Sequence, residues 1–359
     1  MQTAGLIKLS TIKLNEIFKL RQKSFIIEVT QRCNNNCMYC YNVWKCKPGY
    51  PKAEGTTEQI KEIISRIKKE ASAKLVGLSG GEPMMREDIM DIVKYITEMR
   101  IYQNLITNGT LLTKDKIKKL IDSKVSLFEI TLLSSKQETH NKLTRNNSFD
   151  KVIDGIVDIK KYGGKVVVTF VATKLNIKDV KETAELAVAM NADGIMFNRF
   201  NPGGEGLKYI DELLPSISEL KRALEILDKI AEEYGIFISS QIPIPPCLID
   251  MNKYSHIHHV FCPSGRKGSY YTVDSIGNVR VCNHTPTILG NIFTQPMREI
   301  LKSNELKRFQ QALPEFCQNC RYAKKCNGCC KASAEVCYGS IDMLDPFVKH
   351  NLQYCKTEK

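Results

Sequence analysis

Cys33-Asn34-Asn35-Asn36-Cys37-Met38-Tyr39-Cys40 holds the densest chemistry in this chain, and it is reached directly from the apolar run Phe25-Ile26-Ile27-Glu28-Val29. The three thiols stand in Cys-x3-Cys-x2-Cys spacing at the end of a candidate strand. Such a loop can wrap three corners of a four-iron cluster, because thiolates are the soft ligands that hold iron–sulfur centres. The fourth iron is left without a protein ligand. An open position marks a reactive metal rather than a structural one, as at catalytic zinc. The three asparagines make the loop polar, which argues against three reduced thiols packed in a core.

Around this loop the first 200 residues alternate short β-rich runs with amphipathic helical patterns. Strands are expected at 25–30, 74–79, 102–107, 125–133, 166–172 and 194–198. Helices are expected near 56–71, 87–100, 113–123, 148–162, 178–191 and 215–235. Thr113 and Ser148 stand where helix N-caps belong. This alternation builds βαβ units on a parallel sheet. A closed eight-unit barrel takes about 250 residues, whereas here the pattern ends near residue 200 after six units. The expected fold class is α/β, a partial (β/α)6 TIM-type barrel. Its chemistry should sit at the carboxyl ends of the strands, where the three-Cys loop falls. Asn201-Pro202-Gly203-Gly204-Glu205-Gly206 reads as a break and Gln241-Ile242-Pro243-Ile244-Pro245-Pro246 as a linker. The expected organisation is a lead-in over 1–24 and a barrel over 25–205. A bridging helix, strand and linker over 206–246 and a small Cys-rich domain over 247–359 follow.

At 359 residues the chain has room for roughly two domains. No run approaches the roughly 20 apolar residues of a membrane span, and no signal peptide is read, so a cytoplasmic location is expected. Fourteen cysteines in that compartment point to metal binding rather than disulfides. The net charge of +13 is spread over Lys-rich helical faces, with no basic block carrying interleaved aromatics. A nucleic-acid partner is therefore not expected, while an acidic peptide would suit the charge.

Gly80-Gly81-Glu82-Pro83 follows the second strand. Two glycines there let the backbone approach a ligand closely. With the three-Cys loop ahead of it, this order resembles the radical S-adenosylmethionine (SAM) superfamily. In that superfamily the open iron chelates the amino and carboxylate groups of SAM. The resemblance implies that Cys33, Cys37 and Cys40 hold the SAM-binding 4Fe–4S cluster, with Tyr39 beside them. Gly80, Gly81 and Glu82 would meet the SAM amino group. Asn108, in Thr107-Asn108-Gly109, matches the family element at the end of strand three. Thr131 stands near the SAM ribose, with Ser134 as a fallback. Arg145 matches the arginine that faces the SAM carboxylate, a guanidinium–carboxylate pairing. Arg199 would point to the same mouth, and His140 is a structural turn residue.

A second thiol grammar closes the chain: Cys262, Gly277, Cys282, then Cys317-x2-Cys320-x5-Cys326-x3-Cys330, and Cys355. It resembles the SPASM domain of radical SAM maturases, which houses two auxiliary clusters. By that resemblance the first uses Cys262, Cys282 and Cys330, and the second Cys317, Cys320, Cys326 and Cys355. The fourth ligand of the first stays open among a free iron site, His256, His258, His259 and Cys247. Cys329 and Cys337 are surplus, and small buried thiols are the expectation for both. A competing tetrahedral zinc set, Cys317, Cys320, Cys326 and Cys329, would suit a zinc-stabilised nucleic-acid-binding protein.

Three 4Fe–4S clusters and SAM imply an oxidoreductase that forms a 5′-deoxyadenosyl radical and abstracts a hydrogen atom. SPASM relatives mostly modify ribosomally made peptides, forming thioethers, carbon–carbon crosslinks, epimers or excised fragments. Asn283 stands where the formylglycine-forming branch carries an Asp, which argues against that branch. No residue is assigned as catalytic acid or base. The expected partners are a peptide or small-protein substrate, a separate leader-recognition protein, and an electron donor such as flavodoxin or ferredoxin. Tetrapyrrole side-chain decarboxylation in haem synthesis is the alternative enzyme class.

Overall fold

The computed structural model describes residues 24–266 and 269–355. The expected lead-in falls outside them except for Ser24. Six strands follow the sequence pattern: β1 Ser24–Thr30, β2 Leu75–Gly80, β3 Tyr102–Thr107, β4 Leu127–Thr131, β5 Val166–Ala172 and β6 Gly194–Arg199. They pair in chain order, each parallel to the one before. Parallel neighbours need a crossover, supplied here by helices Thr57–Ala71, Ile89–Glu98, Lys114–Asp122, Phe149–Lys161 and Val180–Ala189. The fold is an α/β partial barrel followed by a Cys-rich C-terminal region.

Local chemistry sets the helix ends. Thr56 and Gln59 form a reciprocal capping box, as do Ser216 and Glu219 at the start of helix Ile217–Tyr234. Thr113 caps Lys114–Asp122 by accepting from the Lys116 N–H. Ser148 does not cap with its side chain. Its hydroxyl instead meets His140 Nε2 at 3.0 Å, because a helix absent from the sequence pattern, Gln137–Thr144, packs beside it.

Strand alternation sends Phe25, Ile27 and Val29 outward onto Ile60, Ile63, Ile64 and Ile67 in the main core. A separate cluster of Leu127, Val167, Met196 and Phe237 closes the barrel floor. The carboxyl ends of the strands form the open mouth.

The sheet does not stop at six strands. β7 Phe237–Ser240 and β8 Ile257–His259 extend it in parallel beyond β6. At the other edge β9 Tyr271–Asp274 pairs parallel with β1, and β10 Asn278–Arg280 and β11 Ile288–Asn291 continue antiparallel. One eleven-stranded sheet results, in the order β11-β10-β9-β1-β2-β3-β4-β5-β6-β7-β8. The sequence pattern offers no strand beyond residue 246, whereas β8 to β11 lie there. Strands of three or four residues are too short to show an alternating pattern.

Two buried ion pairs fasten that portion to the barrel. Glu28 on β1 meets Arg280 on β10, and Arg199 on β6 meets Asp345 at 2.5 Å. All four side chains are buried.

Candidate active site

The three-Cys loop leaves β1 at the mouth and is held by polar contacts. The Asn35 N–H approaches Cys33 Sγ at 3.5 Å, and the Asn42 backbone N–H reaches Cys40. Met38 donates its N–H to the Leu143 carbonyl at 2.9 Å, and Asn146 Nδ2 reaches Asn35 Oδ1 at 2.6 Å. Burial pushes the Cys37 thiol up to about 12, while the Tyr39 hydroxyl hydrogen-bonds it. Thiolate ligation there must therefore release protons as metal binds. N–H groups aimed at sulfur and half-buried, clustered thiols fit a thiolate-held cluster.

Two glycines let β2 close on this loop. A Cβ on Gly80 would lie 2.2 Å from the Thr30 carbonyl oxygen, and one on Gly81 2.1 Å from that of Arg32. Gly80 also takes φ +127°, a region that favours glycine. Its carbonyl accepts from Asn42 Nδ2 at 3.0 Å, which leaves one lone pair.

The Glu82 carboxylate is not a free acceptor at the mouth. Its buried carboxylate accepts from Thr107 Oγ1 at 2.7 Å, Met84 N–H at 3.0 Å and Asn108 N–H at 2.7 Å. It braces the ends of β2 and β3 together. Asn108 in turn donates through Nδ2 to Asn34 Oδ1 at 2.8 Å, joining the third strand end to the Cys loop. Thr131 is half-buried at the end of β4. Ser134 is turned away, its hydroxyl donating to the buried Asp179 at 2.8 Å. His140 is structural: burial lowers it to about 4, and its Nδ1 accepts from the Leu133 N–H.

Arg145 occupies a left-handed position at the end of helix Gln137–Thr144. It pairs with Glu205 at 3.5 Å and lies over the Tyr209 ring at 4.7 Å. The sequence reading treated Gly203 to Gly206 as a mere break. In the structure this turn lies directly on the Cys loop. A Cβ on Gly204 would lie 2.5 Å from the Cys40 carbonyl oxygen, and Gly206 N–H donates to that oxygen at 3.1 Å. The run of glycines is the signal that could have revealed it.

The auxiliary thiols form two sets. Cys282 and Cys330 are buried together with Ala332 and Tyr270, and Cys262 lies close enough to act on both electrostatically. Backbone N–H groups of His284 and Thr285 reach Cys282, and Asn201 Nδ2 donates to Cys330 at 3.3 Å. Two of the expected histidines have other partners. His256 pairs with Asp228, and His258 stacks on Phe237 of the barrel floor. The histidine at this set is His284, whose Nδ1 meets Asn201 Nδ2 at 3.1 Å. Its ring stacks on Tyr41, with centroids 3.9 Å apart, one residue past Cys40. Asn283 donates to the Tyr41 hydroxyl at 2.7 Å. Thus Tyr41 and His284 bridge the Cys loop and the first auxiliary set.

Cys317, Cys320 and Cys326 of the second set line a small pocket together with Cys247 and Cys329. Asn327, Gly328 and Cys329 all take positive φ, a run that turns successive N–H groups inward. Hydrogen bonding from Cys329, its backbone and that of Gly328 holds the Cys326 thiol below its ordinary value. This fits thiolate ligation. Arg199 does not face the mouth. Besides Asp345 it holds the Pro243 carbonyl at 2.8 Å and lies 3.7 Å from Cys329 Sγ. Asp345 also accepts the Cys330 N–H at 3.0 Å. Cys337 bonds Ser333 and neighbours Cys46.

Comparisons with known proteins agree with this geometry. The Radical SAM superfamily profile matches residues 27–187, and that of the SPASM iron–sulfur cluster-binding domain matches 262–330. AdoMet-dependent heme synthase of Methanosarcina barkeri (strain Fusaro / DSM 804) is 28% identical over 335 residues, covering 89% of this chain and 94% of that protein. PqqA peptide cyclase of Rhodopseudomonas palustris (strain ATCC BAA-98 / CGA009) is 24% identical over 330 residues, covering 89% and 85%. Streptococcus suis SuiB, crystallised with its precursor peptide SuiA, superposes with a TM-score of 0.70 at 15% identity. That match covers 93% of this chain and 76% of SuiB.

Proposed function

Because this chain belongs to the radical SAM superfamily and carries a C-terminal SPASM domain, we propose that it modifies a ribosomally made peptide or small protein. It is an enzyme that uses SAM and a 4Fe–4S cluster, with auxiliary iron–sulfur binding in its SPASM domain. The peptide reading draws on the similarity to a peptide cyclase along 89% of the chain. The observation that carries it over tetrapyrrole chemistry is the state of the arginines. Arg199 and Arg280 are each buried against a carboxylate, so neither waits for the propionates of a porphyrin. Tetrapyrrole decarboxylation stays the second reading, favoured by the 28% identity to a heme synthase.

In the proposed site Cys33, Cys37 and Cys40 hold the SAM-binding cluster. The Gly80 carbonyl, Asn108, Thr131 and Arg145 orient SAM, and Gly81, Glu82 and Tyr39 shape and brace that cradle. When bound, cluster and SAM supply reductive carbon–sulfur cleavage to methionine and a 5′-deoxyadenosyl radical, which takes a hydrogen atom from substrate. Met38, Leu133, Leu143, Phe200 and Leu213 pack an apolar wall behind the loop that excludes water. The auxiliary sets are Cys262, Cys282 and Cys330, and Cys317, Cys320 and Cys326 with Cys355. Tyr41, His284 and Asn201 form the contact path from mouth to first set. A flavodoxin or ferredoxin supplies the electron, and a separate protein presents the substrate leader.

The test is 5′-deoxyadenosine release by protein purified without oxygen and reduced in the presence of SAM. One arm contains a short peptide encoded beside its gene, and the other a propionate-bearing tetrapyrrole. Stimulation by the peptide, with a mass change in that peptide, is the expected result. Stimulation by the tetrapyrrole with release of carbon dioxide would replace the first reading with the second.

A further inference from the structure

Five thiols compete for four corners at the second auxiliary site. Cys317, Cys320 and Cys326 come from one short stretch. Cys329 also lines the pocket, but its sulfur is already engaged by Cys326, by the Pro243 carbonyl oxygen at 3.4 Å and by the Arg199 guanidinium at 3.7 Å, and it is not counted among the five. Two thiols remain for the last corner. Cys355 comes from the end of the described chain, and Cys247 from the turn after the Pro-rich linker. That turn is firmly held, since Leu248 and Ile249 both donate to the Pro245 carbonyl at 3.0 Å. The linker is anchored again at Pro243 by Arg199 Nε. Cys247 therefore stands on fixed backbone at the pocket wall.

The sulfurs of Cys247 and Cys355 are 3.7 Å apart. Two thiolates at about 2.3 Å from one tetrahedral metal lie about 3.8 Å from each other. The pair is thus spaced for one metal ion, not for two corners of a cube. Each iron of a 4Fe–4S cluster takes a single protein thiolate, its other ligands being sulfide. We propose that Cys247 is an iron ligand of the second auxiliary site and shares one corner with Cys355, so that either thiolate can close it. In the exchange one iron–sulfur bond forms and one breaks. The incoming thiol passes its proton to the departing thiolate, and no electron is gained or lost. This rests on the reading of the SPASM thiols as iron–sulfur ligands.

The experiment compares full-length wild type, Cys247→Ala, Cys355→Ala and the double variant, all purified without oxygen. Iron and acid-labile sulfide are counted, and electron paramagnetic resonance (EPR) is recorded after reduction. Each single variant should keep wild-type iron with an altered auxiliary signal, and the double variant should lose about four irons per chain. A second measurement needs no variant. Alkylation of the loaded wild type, read by mass spectrometry, should label Cys247 and Cys355 each in part. Their occupancies should sum to about one per chain, one thiolate closing the corner. Loss of the auxiliary iron in either single variant, or full labelling of Cys247 with none at Cys355, would overturn the shared corner. Retention of iron in the double variant would overturn it too. Wild type without auxiliary iron would overturn the underlying reading and the shared corner with it.

Discussion

In the proposed reading the Cys loop and the C-terminal thiol sets solve one problem, holding iron, in opposite ways. At the mouth a single loop supplies Cys33, Cys37 and Cys40, and two glycine turns, at Gly80–Gly81 and Gly204, press backbone onto it. The second auxiliary site instead draws Cys247 and Cys355 together across 108 residues of chain and offers more thiols than corners. The first arrangement fixes its ligands by short-range geometry. The second fixes them only through the packing of the whole fold, and so leaves ligation redundant.

That contrast can be broken most severely at the mouth. Cys40→Ala should abolish SAM cleavage and remove about four irons while leaving the auxiliary signal, as read by iron analysis and EPR. Cys326→Ala should do the converse, retaining SAM cleavage and losing modified product. If Cys326→Ala also stopped SAM cleavage, the two regions would not be separable.

A smaller effect tests what fastens them. Asp345→Ala strands the Arg199 guanidinium with no exposure to water, at a cost of about 3–5 kcal/mol. Chemical unfolding under nitrogen measures this, and Arg199→Met with Asp345→Leu should recover much of the loss. An undiminished midpoint in Asp345→Ala would show that the pair does not bind barrel to C-terminal region.

Acid should sharpen the comparison on the barrel side. His140 is buried and neutral, with its folded value lowered to about 4 from 6.5. The unfolded chain binds the extra proton first, so the stability from this group is complete above pH 6.5 and is lost as pH falls toward 4. The loss is about 3 kcal/mol over that window. His140→Gln should flatten the unfolding slope there by about one proton. An unchanged slope would mean that His140 is not held neutral.

The mildest change concerns Arg145. Glu205→Gln removes a buried carboxylate that competes for the half-exposed Arg145 guanidinium, a competition worth about 1 kcal/mol, and should lower the KM for SAM about fivefold. A raised KM would show instead that Glu205 holds Arg145 in its working position.

How much of this was legible follows the same divide. The six strands and most barrel helices could be read because each carries a full period of apolar residues, and the Cys loop because its ligands are contiguous. Glu82 looked like a ligand contact, but nothing in the order of residues says that Thr107 and Asn108 take both its oxygens. His256, His258 and His259 lie near Cys262 in sequence, yet β-pairing with Phe237–Ser240 commits that run to the sheet edge. His284 hid behind Asn283, and the sequence offers Cys247 only to the first set, since its approach to Cys355 comes from a distant turn that sequence order does not show.

The pairing of β1 with β9 also bears on how the chain is made. Until the ribosome has passed Arg280, 252 residues after Glu28, the first strand has neither its edge partner nor its countercharge. At about 5–20 residues per second that interval is about 13–50 s. For that time the nascent barrel carries an open hydrophobic strand edge and an unneutralised interior carboxylate. Shielding the β1 edge during synthesis should therefore raise the yield of folded protein.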